Sequence, residues 1–456
     1  MSLDLPARSK LTAGGGAVHL PGDPEFDRAR APWNVAVDQR PAAVAEPKTV
    51  DELVEVVRCA RSAGLRLAAQ ATGHNAAPLA EQDLSDVLIV RTRALDEMTI
   101  DPERQIARVG GGAIWAPVIE AASTLGLATL HGSSPDVGVA GYSLGGGLGW
   151  YARKLGLQAN SVTAVELATA DGTLLRADAT EHPELFWAVR GCGGNFGIVT
   201  ALEFRLHPVP SAFAGMLIWP LSSAERVLTA WADWTTTASD TVTTSFRILN
   251  LPPLPELPEP LRGRSVVVID GAVVADDEAA QQILAPLRSL SPEIDTFGRV
   301  PVASLAELHM DPTGPTPAVS DADSLGPITA AAIDAYLGQV GPGATTTLLL
   351  AEFRQLGGAV RLGHETGGVL DRIEADYLVQ GIAIAPTPEL AEAGLRDAES
   401  LTAALRPFST GWVYPGFAER RVSPESVFRA DVLARLATVR AEYDPDRAMV
   451  ANHVFG

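Results

Sequence analysis

The run Val137-Gly-Val-Ala-Gly-Tyr-Ser-Leu-Gly-Gly-Gly-Leu-Gly-Trp150 constrains this chain more than any other stretch, because Gly141, Gly145, Gly146, Gly147 and Gly149 fall close together in it. Apolar residues flank these glycines, not the Ser, Gln and Pro of a flexible linker, so the run belongs to packed structure. A backbone this bare lets something large and flat approach. A turn needed only for tight packing is the alternative, and the segments on either side must decide between them.

A chain of 456 residues is long for a single core and suits two interleaved domains of roughly 200 residues each. Its 46% hydrophobic and 20% charged content is globular in type. No apolar run approaches the roughly 20 residues of a membrane helix. No membrane partner is expected. The first twenty residues lack the apolar core and cleavage site of a secretory signal, which places the chain in the cytoplasm. Cys59 and Cys192 are the only cysteines, too few for a disulfide framework and without metal-ligand spacing, so no metal site is predicted. An excess of 55 acidic over 35 basic residues, net −20, repels nucleic acid.

In chain order, residues 1–30 read as a mobile lead-in with one short helix, and Trp33 begins the ordered part. A short strand at 43–47 precedes a helix over 50–64, capped by Thr49 and stopped by Gly64. A strand at 65–69 then delivers the chain into Gln70-Ala-Thr-Gly-His-Asn75. Strands follow at 86–90 and 106–110, with a helix over 115–126 and a strand at 128–130 leading to the glycine run. Beyond Trp150, strands at 162–168 and 173–176 flank the hairpin turn Asp171-Gly172. A short helix at 184–190 and the second bare turn Gly191-Cys-Gly-Gly-Asn-Phe-Gly197 precede a strand at 198–206.

His207-Pro-Val-Pro210 marks a boundary, since X-Pro pairs favour extended backbone and the character of the chain changes there. From 213 to about 410, strands at 214–219, 243–249, 265–274, 346–354 and 377–384 alternate with helical segments such as 224–234 and 277–289. Strands with helices grouped on one face describe an α+β layer. An extended piece and a helix over 426–442 complete the chain, and Tyr443-Asp-Pro-Asp446 follows.

Gly73-His74 in a loop after a strand, the glycine run, Gly194-Asn-Phe-Gly-Ile-Val-Thr200 and Tyr443-Asp-Pro-Asp446 together resemble the FAD-linked oxidases of the vanillyl-alcohol-oxidase superfamily, whose FAD-binding domain is of the PCMH type. The berberine-bridge-enzyme-like group is the most similar. The resemblance covers nearly the whole chain, including Gly357-Gly-Ala359. It implies four parts: a lead-in at 1–30, a PCMH-type FAD-binding domain of two α/β subdomains at 31–207, a substrate domain with an antiparallel sheet covered by helices at 208–411, and a segment at 412–456 returning to the FAD-binding domain.

By the same resemblance, Thr72, Gly73, His74 and Asn75 lie along the cofactor, with His74 bonded to the 8-methyl carbon of the flavin. Such a substituted flavin is more oxidising and cannot dissociate. Ser134, Val137, Gly138, Gly141, Gly145, Gly146, Gly149, Gly197, Ile198, Val199 and Asn452 complete the implied cofactor-binding set. Many members attach FAD a second time through a cysteine. Ser134 stands at that position and a hydroxyl cannot replace the thiolate, so His74 is the one expected attachment. Val137 occupies a position that gates oxygen, and valine there resembles the oxidases.

Oxidation needs a hydride taken by the flavin and a proton taken by a base. Tyr414 matches an active-site tyrosine and is the leading candidate base. Gln380 matches a position over the flavin where Glu or Gln is common, and as an amide it can orient substrate only. Tyr377 lies near enough in sequence to contribute. A tyrosine expected in the glycine run is Leu148 here, which removes a phenol from the pattern. The resemblance implies oxidation of a C–O or C–N bond of a carbohydrate, an alkaloid-type amine or a secondary-metabolite alcohol, with molecular oxygen reduced to peroxide. A dehydrogenase, a flavin–oxygen-adduct oxygenase and a flavin-binding protein without turnover remain as alternatives. A monomer or homodimer is expected.

Overall fold

The computed structural model describes residues 17–255 and 257–456. Among the described residues seventeen strands form three sheets, and each has a different job. The first contains β1 (Ala17–His19), β2 (Ala43–Glu46), β3 (Arg66–Gln70) and β4 (Val87–Arg91) in the order β1-β2-β4-β3. β2, β4 and β3 run parallel, and β4 is buried along its whole length and apolar from Val87 to Val90, as a strand covered on both faces must be. The crossover helix Val50–Ser62 begins where Thr49 accepts a hydrogen bond from the Glu52 N–H. Order begins earlier than Trp33, because β1 pairs with β2 and the short helix Phe26–Arg30 buries Phe26 and Ala29.

The second sheet contains β5 (Met98–Asp101), β6 (Ile106–Gly110), β7 (Val162–Ala168), β8 (Leu174–Asp178) and β9 (Ile198–Arg205), antiparallel in the order β5-β6-β9-β7-β8. The expected strand at 128–130 reduces to one bridge between Ala128 and His207. The helices Trp115–Thr124, Val139–Leu144 and Pro183–Cys192 pack beside this sheet around Trp115, Leu144, Leu185 and Phe204. Cys192 lies in this core.

The third sheet is antiparallel and larger. It comprises β10 (Ser211–Pro220), β11 (Val242–Asn250), β12 (Ser265–Val273), β13 (Ile294–Asp295), β14 (Gly298–Pro301), β15 (Ala318–Leu325), β16 (Leu350–Gln355) and β17 (Tyr377–Ile384). The main order is β13-β10-β12-β11-β16-β17-β15, with β14 also on β10. Alternate side chains point to opposite faces. Leu217, Trp219, Phe246, Ile269, Phe353 and Val379 form one face, and helices Ala224–Thr235, Ala330–Val340 and Pro388–Leu405 cover it. The other face carries Asp270, Ser245, Arg247, Glu352, Arg354 and Gln380 across its middle, and it turns toward the glycine run.

The C-terminal helix Ala430–Tyr443 returns to the first half of the chain, where Arg435 pairs with Glu184 at 2.8 Å. Asp444 then accepts from the Ala448 and Met449 N–H groups, and Met449 bridges Leu67 in parallel. No described helix is long and apolar enough to cross a membrane.

Candidate cofactor groove and active site

The loop after β3 is held by its backbone. Trp33 N–H donates to the Thr72 carbonyl at 2.9 Å. Gly73 has φ +85°, and a Cβ there would lie 2.7 Å from the Pro32 Cβ, so glycine is required on both counts. This brings Trp33 flat onto the His74 ring, with centroids 4.1 Å apart and planes 18° from parallel. His74 Nδ1 lies 2.8 Å from the Thr72 hydroxyl and Nε2 lies 3.2 Å from Asp136 Oδ1.

Asp136 escaped the sequence reading, since a single carboxylate between motifs carries no signal of its own. It also accepts from Trp33 Nε1 at 2.6 Å, the Ser134 hydroxyl at 2.8 Å and the Gly314 N–H at 2.9 Å. Burial works against its charge, but the donors His74, Trp33, Gly314 and Ser134 outweigh burial and hold it well below the usual carboxylate range.

The glycine run divides into two kinds of position. Gly138 caps the helix Val139–Leu144 and stands against the loop after β3, where a Cβ would meet the Ala71 Cβ at 3.2 Å. Gly141 is exposed and a Cβ there meets nothing within 4 Å. By contrast, Cβ atoms at Gly145, Gly146, Gly147 and Gly149 would lie 3.0 Å from the Gly141 carbonyl, 3.0 Å from the Tyr414 hydroxyl, 2.6 Å from the Gln158 Cβ and 1.9 Å from the His131 carbonyl. The later glycines therefore serve contacts within the chain, which corrects the expectation that the whole run is bare for a ligand.

Gly197 likewise lets the second bare turn reach the Ala168 carbonyl, 2.6 Å from a Cβ there. Ile198 is fully buried and Val199 half-buried on β9. Asn452 donates to the Asn75 carbonyl and Asn75 donates to the Pro415 carbonyl at 3.2 Å, so chain ends far apart in sequence meet at this loop.

Around these residues, buried polar atoms lack a protein partner: Asn75 Oδ1, His131 Nε2, Tyr142 OH, Ser143 Oγ, Trp150 Nε1 and His453 Nδ1. Buried polar groups are rarely left so. The open backbone position at Gly141 beside unpaired donors and acceptors fits a flat, polar-edged group such as FAD. A separate cavity of about 360 Å³ lies among Lys48, Leu95, Arg108, Glu166 and Arg176; the Arg108–Glu166 pair at 2.6 Å already uses its charges, and it holds none of these groove residues.

The charged face of the third sheet lies opposite. His309 Nδ1 meets Asp270 Oδ2 at 2.9 Å, and its Nε2 stands 3.7 Å from Glu352 Oε2. Arg354 Nε donates to Glu352 at 2.8 Å, while Arg247 and Ser245 both donate to Asp270. Burial and Arg247 push His309 down, but Asp270, Asp311 and Glu352 outweigh them and carry it up to about 9. Burial opposes the Glu352 charge too, and Arg354 and His309 hold its carboxyl well below the usual range.

This cluster touches the groove. The Arg354 guanidinium carbon is 5.8 Å from the Trp150 ring centroid and 5.2 Å from that of Phe417, and Trp150 lies 5.5 Å from His309. Gln380, beside Glu352 on the paired strand, donates to the Ser320 hydroxyl at 3.3 Å. Tyr414 is buried against Trp412 and Phe417, and burial pushes its phenol above the ordinary tyrosine range while Arg354 pulls the other way. Tyr142, whose hydroxyl is unpaired, is subject to the same two influences.

Tyr377 is a correction. It stands three positions from Gln380, an odd offset along the strand, so it points to the helix side, where it packs on Trp231 and hydrogen-bonds Thr235. It does not face the groove. His309, Glu352 and Arg354 do, and the alternation along β16 was the one sequence signal that could have paired Glu352 with Arg354.

Residues 41–178 match the family model described as an FAD binding domain. The (R)-6-hydroxynicotine oxidase of Paenarthrobacter nicotinovorans is 36% identical over 211 residues, 46% of each chain. The xylooligosaccharide oxidase of Thermothelomyces thermophilus is 34% identical over 45% of this chain and 42% of that one. The matched stretch thus spans under half the length of these relatives. Over the full length, the solved structure of a variant of Physcomitrella patens BBE-like 1 superposes with a TM-score of 0.85 at 20% identity, covering 99% of both chains. Residues 41–178 thus resemble an FAD-binding domain, and the full-length superposition shows the fold to be berberine-bridge-enzyme-like, with an FAD-binding half and an antiparallel sheet covered by helices. The groove from His74 to Gly141 lies within the matched FAD-binding stretch, and the charged sheet face lies outside it.

Proposed function

We propose that this chain is an FAD-dependent oxidoreductase that oxidises a C–O or C–N bond of a small organic molecule, with oxygen as the final electron acceptor and hydrogen peroxide as a product. Bound FAD supplies a two-electron acceptor beside the substrate. The observation that carries the reading is the placement of Glu352, Arg354 and Gln380 on the one sheet face that meets Trp150 and Phe417, the ring against which Tyr414 packs, while the opposite face is apolar.

The residues divide the work. Thr72, Gly73, Asn75, Ser134, Gly138, Gly141 and Asn452 line or brace the cofactor groove, and His74 is the attachment point. Gly145, Gly146, Gly149, Gly197, Ile198 and Val199 shape that groove from behind. The Gln380 amide orients a substrate hydroxyl or amine. Tyr414 takes part in moving the substrate proton, and because burial keeps its phenol protonated, it passes a proton on only where the Arg354 charge favours its loss. Val137 sets how readily oxygen reaches the flavin.

The relatives named above act on a hydroxynicotine and on xylooligosaccharides, and both an amine and a carbohydrate suit a polar face of this kind. A panel of amines, sugars and alcohols added to the yellow protein under argon tests the reading: a substrate bleaches the flavin band, and air restores it with peroxide release. Bleaching with slow recovery in air assigns a dehydrogenase instead, and no bleaching by any member of either class counts against turnover.

A further inference from the structure

Among the described residues Asp136 is the one carboxylate in contact with the imidazole that the preceding section takes as the flavin attachment point, and the contact is directional. A carboxylate only accepts, so the proton sits on His74 Nε2, facing Asp136 at 3.2 Å. That tautomer leaves the Nδ1 lone pair as the nucleophile, held toward the Thr72 hydroxyl at 2.8 Å. Trp33 prevents the ring from turning over, since it stacks on the imidazole and is itself tied to Asp136 at 2.6 Å. Ser134 and the Gly314 N–H hold the same carboxylate from two other sides. A carboxylate so fixed, with the lone pair of the other ring nitrogen held only by the Thr72 hydroxyl, has the arrangement of a base that orients and activates a histidine nucleophile.

We infer that Asp136 is the positioning residue for covalent flavin attachment, orienting His74 and taking its Nε2 proton as Nδ1 bonds to the 8-methyl carbon of FAD. The inference rests on the His74 attachment reading. The bond formed is Nδ1 to carbon; the bonds broken are one methyl C–H and the Nε2–H. The electron pair and both protons reduce the flavin, the Nε2 proton passing by way of Asp136, and molecular oxygen then reoxidises the flavin to give hydrogen peroxide. Ser134 bears on the same site. Its hydroxyl is spent on Asp136, so the residue that stands where a second attachment could form instead fixes the base for the first.

The test uses the full chain expressed in riboflavin-depleted cells, mixed with FAD in air and sampled over time for flavin that survives denaturation. Wild type is expected to retain flavin and His74→Ala none. Asp136→Asn, which keeps size and loses the base, is expected to bind FAD reversibly as wild type does but to attach it roughly 100-fold more slowly at neutral pH. Its attachment rate should climb with pH, as hydroxide replaces the carboxylate, more steeply than that of wild type. Attachment by Asp136→Asn at the wild-type rate overturns the inference. So does loss of reversible FAD binding or of the folding transition, which assigns Asp136 to the scaffold. Wild type that releases all its flavin overturns the attachment reading itself, a result distinguishable from both.

Discussion

At the scale of single residues, two tyrosines that look alike in the sequence separate by orientation. Tyr414 reaches the groove, and Tyr377 reaches the helices. Tyr414→Phe should slow flavin bleaching by substrate about 100-fold while leaving FAD content unchanged. Tyr377→Phe should leave bleaching as in wild type and cost about 1 kcal/mol through the lost Thr235 bond, read by urea unfolding. Equal slowing by both changes would count against the assignment. His309 makes a second residue-scale prediction. Its imidazolium is stabilised in the folded state, raised to about 9 from an ordinary value near 6.5. A raised value means stability that is full below about pH 6.5 and lost as pH climbs through about 9. Unfolding free energy should therefore fall by up to ~3 kcal/mol across that window, and His309→Gln should flatten the fall. Asp270, Glu352, Arg247, Arg354 and Asp311 face it; the carboxyls of Asp270 and Glu352 are held below their usual range and the Arg354 guanidinium above its own, so these three do not supply the slope.

At the scale of elements, the glycine run shows how one motif serves two ends. A methyl group at Gly149 would stand 1.9 Å from a backbone carbonyl, whereas one at Gly141 would enter open space. Gly149→Ala should cost at least ~3 kcal/mol and give little folded protein. Gly141→Ala should fold with an unchanged melting temperature yet bind FAD more weakly, measured by flavin titration of protein from riboflavin-depleted cells. The strands of the third sheet follow the same logic of alternation. The charged residues at 352 and 354 share a face because they stand two positions apart, and a strand that slipped by one would bury Phe353 where Glu352 now stands. Most regular elements were legible from period and punctuation: β6, β7 and β17 have the expected bounds, and Thr49 caps its helix. β1, β5 and β15 were missed. β1 is three residues long and β15 mixes Ser and Asp with apolar residues, so their strand state comes from pairing with neighbours.

At the scale of the whole molecule, the groove exists because two halves of the chain are bolted together on either side of it. Arg153, buried just beyond the glycine run, donates to the carbonyls of Val242 at 2.8 Å and Ala238 at 3.0 Å, and also to that of Leu356. Gly357 and Gly358 let it pass, since a Cβ on Gly358 would lie 2.3 Å from the Arg153 carbonyl. On the other side Ser133 donates to Asp311 at 2.8 Å and Gly314 donates to Asp136. Arg153→Met should cost about 3 kcal/mol, because it strips several carbonyls of a charged donor, and should lower the melting temperature in calorimetry by several degrees.

Sequence by itself pointed to the cofactor class and the fold, through four ordered motifs whose resemblance to the FAD-linked oxidases implies both. Local chemistry that survives in one dimension, in caps, turns and the alternation of apolar residues, determined most of the elements. Sequence also named His74, Gln380 and Tyr414, whose motifs are contiguous. Tertiary structure alone decided which of these residues meet. Asp136 reaches His74 across sixty-two positions, and His309 reaches Asp270 across thirty-nine. Charge pairing acts through space and leaves no periodic trace in the chain, so the buried cluster and the carboxylate beside His74 became visible only when the strands had brought them together.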